Sequence, residues 1–246
     1  MYFINVGQGD STLIITPNNK TILIDGGGSN SYDVGKNTLV PYLLDRKVMK
    51  LDLVIISHFD EDHVGGILTV LEELKVKKVI IGKQGEQSEQ YNKFCEIVKD
   101  KEIQVHIAKK GQIINVEKDL KIRFLFPNQE LITQNILNNN SLVAKIEYKN
   151  FKILFTGDIE EIAERQLLKM YSNNELRADI LKVAHHGSKT SSIKEFIKQV
   201  KPKIALIGVG KNNKFGHPNK GVLEILKNNG VKIYRTDEDG EVCISL

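Results

Sequence analysis

The chain has 246 residues, of which 41% are hydrophobic and 27% are charged, as is usual for a soluble folded protein. Its net charge of +4, from 35 basic and 31 acidic residues, is too small for the whole surface to attract nucleic acid. Its two cysteines have no metal or redox spacing, which excludes a disulfide framework and favours a cytoplasmic location.

The N-terminal half reads as a β-meander followed by alternating strands and helices. Met1 leads straight into a strand-like segment without signal-peptide features, and no apolar run approaches the roughly 20 residues that span a bilayer. We therefore expect no membrane association. The predicted elements are strands near 2–6, 11–16 and 20–25, a helix at 33–48, a strand at 51–57, a helix from 62, a strand at 79–82, a helix at 88–100 and a strand near 105–107.

The C-terminal half continues this alternation without a linker. The predicted elements are antiparallel strands within 112–126 and 141–157, a helix at 160–171, a strand at 179–184, a helix at 191–200, a strand at 203–209, a helix at 219–228 and a closing hairpin across 237–240. These strands suffice for two sheets. The pattern predicts one α/β domain over residues 1–246, a sandwich of sheets covered outside by helices.

Residues 57–66 contain the densest group of side chains able to bind metal, and they read SHFDEDHVGG. The segment follows an apolar strand, where a loop opens into a helix. Acidic residues alone would fit the first turn of a helix, and Glu61 is assigned that role. The flanking histidines do not fit it. The predicted metal ligands here are His58, Asp60, Asp62 and His63.

The H-x-D-x-D-H-x-G-G run resembles the signature of the metallo-β-lactamase superfamily, in the variant found in the hydrolase domain of ComEC-type DNA-uptake proteins. Further segments resemble that family in the same order, at 3–11, 24–27, 139–143, 154–158, 182–188 and 216–218. The resemblance covers nearly the whole chain. It implies a four-layer αββα sandwich with a dinuclear metal site along one edge of the two sheets.

The resemblance also implies roles for individual residues. His58 and Asp60 would hold a first metal, Asp62 and His63 a second, and Asp158 would bridge both. Asp158 ends an apolar strand, although it could instead cap the next helix.

The remaining predictions concern a carboxylate that orients histidines and a pair of adjacent histidines. Asp25 would orient the histidine-bearing loop. His185 and His186 end the predicted 179–184 strand, so their side chains should face opposite sides and one should be a ligand. We favour His186, which leaves His185 as an orienting, proton-transferring or merely packed residue.

The chain departs from the commoner superfamily pattern in its first site. Asp60 stands where that pattern has histidine, and no histidine lies between positions 107 and 184 to supply another expected ligand. That position is open or filled by Asn139, Asn138 or water. Since oxygen ligands weaken the preference for zinc, we expect two divalent ions that are zinc or manganese, with magnesium as a further alternative.

Charge at this centre bears on the substrate. Two divalent ions against three carboxylates leave about +1, which favours an anionic substrate. The loop at 187–192 precedes a helix and could hold a phosphate, and Lys182, Lys211 and Lys214 would add a basic surface. The predicted substrate-binding residues are Asn139, Ser188, Lys189 and Lys214. The predicted catalytic residues are Asp62, His185 and His217.

The resemblance, together with the local lysines, implies a phosphodiesterase or nuclease that uses a metal-bridging hydroxide on single-stranded DNA or RNA. His217 or His185 would assist the leaving oxygen. The sequence has no basic stripe interleaved with aromatics, so backbone contact is expected rather than base stacking. The alternatives are hydrolysis of a small ester, lactone or phosphodiester, and a weakly catalytic binding or regulatory module. The sequence predicts no oligomeric state.

Overall fold

The computed structural model describes residues 1–245, and its strands form two seven-stranded sheets. The strands of the first sheet are β1 (Tyr2–Phe3), β2 (Ser11–Ile15), β3 (Thr21–Gly26), β5 (Leu53–Ile56), β7 (Lys78–Ile81), β8 (Gln104–Ile107) and β16 (Val242–Cys243). Their spatial order is β16-β1-β2-β3-β5-β7-β8. Two short strands, β4 (Lys50–Leu51) and β6 (Lys75–Val76), pair separately.

The second sheet has the order β15-β14-β13-β12-β11-β10-β9. Its strands are β9 (Ile113–Glu117), β10 (Leu120–Phe126), β11 (Val143–Tyr148), β12 (Phe151–Phe155), β13 (Ile180–Lys182), β14 (Ile204–Ile207) and β15 (Lys232–Arg235). Strands β9 to β12 pair antiparallel, and β12 to β15 pair parallel. The first sheet likewise joins antiparallel β1, β2 and β3 to parallel β5, β7 and β8.

Helices cover the outer face of each sheet. They are α1 (Val40–Asp45), α2 (Glu61–Glu73), α3 (Glu89–Asp100), α4 (Ile136–Asn139), α5 (Glu161–Met170), α6 (Asn173–Leu176), α7 (Lys194–Val200), α8 (Lys220–Asn228) and α9 (Thr236–Asp239). The longest has 13 residues, and none within residues 1–245 is long and apolar enough to cross a membrane.

Three layers of buried apolar side chains hold the elements together. One layer packs α1, α2 and α3 on the first sheet, through residues such as Leu43, Ile67 and Phe94. A second, which includes Phe124, lies between the sheets. The third packs α5, α7 and α8 on the second sheet, with Phe196 among its members. Three apolar layers between four structural layers confirm the predicted αββα sandwich.

Strand direction brings distant loops to one edge of the sandwich. Strand β2 runs antiparallel to β3, so its first residue, Ser11, pairs with Gly26 at the end of β3. Strands β12, β13 and β14 are parallel, and Lys182 at the end of β13 pairs with both Phe155 and Leu206. Loops that follow parallel strands meet at their carboxyl ends, where open α/β sheets bind ligands.

The predicted closing hairpin across 237–240 is wrong. Strand β15 belongs to the second sheet, whereas β16 pairs with β1 in the first, and the short helix α9 connects them. Two short apolar runs around a Gly have the local pattern of a hairpin whichever sheet each run joins.

Four other elements differ from the prediction. The helix expected at 33–48 begins as a π-helical segment, Gly35–Leu39, before α1. Helices α4 and α6 were not predicted, because four residues are too few to show helical periodicity. The strand expected at 179–184 ends at Lys182.

Two glycines let α2 pack directly on the end of β3. The Gly66 N–H donates to the Gly27 carbonyl at 2.8 Å, and a Cβ at Gly66 would overlap the Gly26 carbonyl oxygen. A Cβ at Gly26 would in turn lie 2.7 Å from the Ile67 backbone nitrogen. This contact holds the start of α2 against β3.

Gly66→Ala tests this packing. A helical Gly→Ala change ordinarily stabilises a protein by up to about 1 kcal/mol. Here we expect a loss of roughly 1–3 kcal/mol in the free energy of unfolding, because the methyl group meets backbone that cannot move aside. Urea unfolding measures both variants. Gly221→Ala in the exposed first turn of α8 is the control and should be neutral or stabilising; equal stability of the two variants would contradict the close packing.

Candidate metal centre

Four buried side chains from separate elements meet at this edge. They are Asp10, His63, Asp158 and His186, and one ligand atom of each lies within 4.8 Å of all the others. Asp10 precedes β2, His63 lies in the first turn of α2, Asp158 follows β12 and His186 follows β13. Two imidazoles and two carboxylates are a donor set suited to a divalent transition-metal ion.

Hydrogen bonds fix the orientation of both clustered histidines. His63 Nδ1 lies 3.0 Å from Asp25 Oδ2, and His186 Nδ1 lies 2.7 Å from the Gly208 carbonyl oxygen. Both partners accept hydrogen bonds, so each Nδ1 carries the proton and each Nε2 of a neutral ring presents a lone pair. The two Nε2 atoms are 3.2 Å apart, and His63 Nε2 is 3.0 Å from Asp158 Oδ1. A bound cation would satisfy these facing lone pairs.

His58 and Asp60 lie beside the cluster as a separate pair. Ser57 Oγ donates to Asp25 Oδ2 at 2.8 Å and therefore accepts from His58 Nδ1 at 3.0 Å. His58 Nε2 is then a buried lone pair without a hydrogen-bond partner among the described residues, 3.5 Å from Asp60 Oδ2. Asp60 itself is partly exposed.

Asp62 joins the cluster from its other side. Its Oδ2 lies 3.2 Å from His186 Nε2. Of the predicted ligands, Asp62, His63, Asp158 and His186 thus meet in one cluster, whereas His58 and Asp60 form a pair beside it. The orphaned atom of His58 and the facing Nε2 atoms fit the predicted divalent metal binding.

Buried charge shifts the pKa values of this cluster strongly. Burial alone would lower the pKa of His186, but the carboxylates of Asp158 and Asp10 raise it to about 10. His63 behaves alike: Asp158 and Asp25 raise its pKa well above the ordinary value despite complete burial. Burial would raise the pKa of Asp158, yet the positive charges of His63, His186 and Lys182 hold it well below its usual range. Protons and a divalent cation would therefore compete for the same histidine nitrogens.

Lys182 was expected on a basic surface, but it is buried inside the centre. Its ammonium contacts Asp10 Oδ2, lies 3.4 Å from Asp158 Oδ1 and donates to the Gly157 carbonyl oxygen at 3.0 Å. Only 2% of the residue is exposed. Burial alone would lower its pKa, but the two carboxylates raise it. Lys182 is therefore a fixed positive charge beside the metal-binding cluster.

Asp10 is the member of the cluster that sequence reasoning missed, because residues 7–10 read as a turn. The topology contains a usable signal. Strand β2 is antiparallel to β3, so a polar residue just before β2 must lie near Asp25 at the end of β3.

The backbone around His185 and His186 differs from the predicted strand. Both residues have left-handed conformations, with φ of 50° and 51°. Two successive left-handed residues cost energy for side chains other than glycine, and such strain is commonly found at functional sites. This turn places His186 in the cluster. His185 lies closer to solvent, with its Nε2 3.9 Å from Asp158 Oδ2.

A polar network surrounds His185 at the rim of the centre. Glu160 Oε1 lies 3.6 Å from His185 Nδ1 and accepts from the Thr190 hydroxyl at 2.8 Å. Its Oε2 accepts from the Asn139 side chain at 3.1 Å, and its backbone N–H donates to Asn139 Oδ1. Asn139 is fully buried, with both ends of its amide engaged. Glu160, rather than Asp158, precedes α5 as its N-cap residue.

The loop after His186 is held from within the protein. The carboxylate of Glu164 accepts from the backbone N–H groups of Ser192 at 2.6 Å and Ile193 at 2.9 Å, so these groups at the start of α7 are not free for a phosphate. The Ser188 hydroxyl contacts Thr190 in the same loop. Lys189 is exposed.

His217 and Lys214 lie on the next loop, after β14. The His217 and His185 rings meet edge to face, with centroids 5.7 Å apart. Burial lowers the pKa of His217, and the positive charge of His186 lowers it further. Lys214 is exposed at the same rim.

Comparison with known proteins decides the family. The model of the metallo-beta-lactamase superfamily matches residues 4–211. The chain belongs to this superfamily. It is 34% identical to ComE operon protein 3 of Bacillus subtilis, over 97% of this chain and 32% of that protein. It is 31% identical to competence protein ComA of Neisseria gonorrhoeae, over 98% of this chain and 31% of that protein.

These matches confirm the resemblance to the ComEC-type hydrolase domain. The chain spans about a third of the length of these curated relatives. Among solved structures, a diphosphatase from the PhnP family has a TM-score of 0.56 and 13% identity, over 100% of this chain and 98% of that chain. At such low identity this likeness concerns the fold alone.

Metal binding to this superfamily domain should release protons. Near neutral pH the raised pKa values keep His63 and His186 protonated in metal-free protein, whereas a metal needs their lone pairs. We expect about two protons released per loaded cluster, and an affinity that rises with pH until His186 deprotonates near its pKa of about 10. Calorimetric titration with Mn²⁺ or Zn²⁺ in buffers of different ionisation enthalpy measures the release.

The controls for this titration are two histidine variants. His186→Asn should release about one proton fewer than the wild-type chain. His106→Asn should match the wild-type chain, because His106 contacts Gln112 outside the cluster. Metal binding without proton release would contradict the histidine assignment.

Lys182→Met tests the buried charge. We expect the free energy of unfolding of the metal-free variant to fall by roughly 3–5 kcal/mol, because the carboxylates of Asp10 and Asp158 lose their buried partner. Metal should then raise the melting temperature of the variant more than that of the wild-type chain, since the cation replaces the lost charge. Thermal melts with and without Mn²⁺ measure both effects. Lys203→Met removes an exposed ion pair and is the control; an equal metal-induced rise in all three proteins would argue against this role.

Proposed function

We propose that the chain is a metal-dependent phosphodiesterase that cleaves single-stranded DNA or RNA. The observation that carries the proposal is a buried cluster of histidines and carboxylates, with His63 and His186 Nε2 atoms 3.2 Å apart, at an edge where Lys189 and Lys214 are exposed. Divalent ions bound there would supply a hydroxide near neutral pH and neutralise charge that develops on a phosphate. The surrounding lysines favour an anionic substrate.

The position of one apolar cavity argues against a small apolar ester or lactone as the substrate. That cavity, of about 460 Å³, is lined by residues such as Met1, Ile15 and Phe151. Ile15 and Phe151 lie at the ends of β2 and β12 that are remote from the cluster. The cavity that reaches Asp10 and Lys182 measures only about 10 Å³, room for one water at most. An extended substrate lying across the exposed rim fits this geometry better than an enclosed small molecule.

His185 and His217 act in this proposal as neutral hydrogen-bond donors at the rim. Burial lowers the pKa of His185, although Asp158 opposes the shift, and burial together with neighbouring histidines lowers that of His217. Both rings are therefore uncharged near neutral pH. An N–H group of each ring can donate to a phosphoryl oxygen as its negative charge grows. Glu160, 3.6 Å from His185 Nδ1, orients the first ring.

The relatives add support of a limited kind. One relative is named a competence protein. The resemblance in the sequence is likewise to DNA-uptake proteins. The chain corresponds to about a third of that protein, so a nucleic-acid substrate for this chain is part of the proposal. Nucleic acid remains the first substrate class, and a small phosphodiester the second.

A metal-by-substrate screen tests the proposal. Single-stranded DNA, RNA and a small phosphodiester are each incubated with the protein under zinc, manganese or magnesium, and product formation is measured. We expect oligonucleotides to be cleaved faster than the small phosphodiester. Asp62→Ala should reduce cleavage roughly 100-fold or more, because Asp62 contacts His186 at the cluster.

Glu61→Gln is the matched control, since Glu61 is adjacent in sequence but bonds to Gln90 on α3 rather than to the cluster. It should cleave at nearly the wild-type rate. Equal turnover by Asp62→Ala would defeat the site assignment. Faster turnover of the small phosphodiester would instead favour the small-molecule alternative.

A further inference from the structure

An exposed aromatic ring stands at the rim of the metal centre. Phe215 lies on the loop after β14, and 54% of the residue is exposed. One side of its ring stacks on His217, with centroids 5.9 Å apart and an angle of 21° between the planes. The Lys214 ammonium lies 5.5 Å from the ring centroid. Lys214, Phe215 and His217 are neighbours in the sequence, and the fold adds His185 to this group.

The loop that carries Phe215 is held in place. The Asn213 side chain accepts from the His217 N–H at 3.0 Å and donates to the His217 carbonyl oxygen at 2.7 Å. Pro218 is buried and packs against Gly187. A fixed, exposed ring loses little freedom when a flat ligand stacks on it.

A continuous path of rings leads from Phe215 to the buried cluster. Phe215 stacks on His217, His217 meets His185 edge to face at 5.7 Å, and His185 Nε2 lies 3.9 Å from Asp158 Oδ2. A nucleic-acid strand held at the cluster by one phosphate would meet Phe215 if it ran along these rings.

We propose that Phe215 is a stacking platform for a nucleobase next to the phosphodiester that is cleaved, and that Lys214 binds an adjacent phosphate. The inference rests on the proposed function and names the feature of the substrate that the site recognises. Every base has a π-face, so such stacking tolerates any sequence. The exposed residues that precede Phe215 on its loop, Lys211, Asn212 and Lys214, are polar, which suits a nucleic-acid strand better than an apolar protein surface.

The absence of tryptophan from the chain provides a direct test. Phe215→Trp introduces a single tryptophan at the platform, which is excited selectively beside the 7 tyrosines, and a stacked base should quench its fluorescence. The probes are a hydrolysis-resistant single-stranded oligonucleotide and an abasic oligonucleotide of the same length. We expect strong quenching by the first and little by the second. Met49→Trp is the control. Met49 is 69% exposed and precedes β5, whereas the metal centre lies beyond the other end of that strand. Neither probe should quench the fluorescence of this variant.

Binding of fluorescein-labelled oligonucleotides, measured by anisotropy, gives the second readout. The wild-type chain should bind the normal oligonucleotide roughly 5- to 100-fold more tightly than the abasic one. Phe215→Ala and Phe215→Leu should both reduce that ratio to within about twofold, because leucine keeps apolar bulk without a π-face. Phe215→Trp should retain the ratio.

The outcomes separate this inference from the proposed function. If the wild-type chain binds and cleaves oligonucleotides but Phe215→Leu keeps the full preference for bases, stacking is overturned and the nuclease proposal stands. If the Phe215→Trp variant binds the normal oligonucleotide but its fluorescence is not quenched, stacking is overturned in the same way. If the wild-type chain neither binds nor cleaves any oligonucleotide, both proposals fail.

Discussion

A charge balance buried between the two sheets is the constraint on which the rest of the structure depends. Asp10 comes from the first sheet's edge, and Asp158 and Lys182 from the second, and at most 3% of each residue is exposed. A buried charge without its partner costs several kcal/mol, so the sheets are stable only in the relative position that joins these groups. The ion pair therefore fixes the edge of the sandwich at which the histidines also meet.

The same edge has a buried interior and a solvent-exposed rim. Inside, Asp25 and the Gly208 carbonyl orient His63 and His186 so that their Nε2 atoms face each other. Outside, His185 and His217 remain near solvent with lowered pKa values. A buried cluster whose donors suit divalent cations, beside a rim of neutral donors and lysines, supports the proposal of a polyanionic substrate. Both proposals draw on this division.

Sequence reasoning reached those site residues whose neighbours in the chain indicate their role. Residues 58–63 contain several ligand types in one short run, and Asp158 follows an apolar strand directly. Asp10, Lys182 and Phe215 lie in segments that read as a turn, a basic surface and an ordinary loop. Their roles arise from contacts with residues far away in the chain, such as Lys182 with Asp10 and Phe215 with the His217–His185 pair. No local pattern records such contacts.

The sequence by itself determined most of the helices and strands and the layered architecture, because alternation and helical spacing of apolar residues are local properties. It also indicated the metal-binding segment. Only the tertiary structure decided that β16 joins the first sheet rather than a hairpin with β15, and that Lys182 faces inward. The physical reason is common to both: strand pairing and buried charge are settled by which distant groups can satisfy one another once the two sheets have packed.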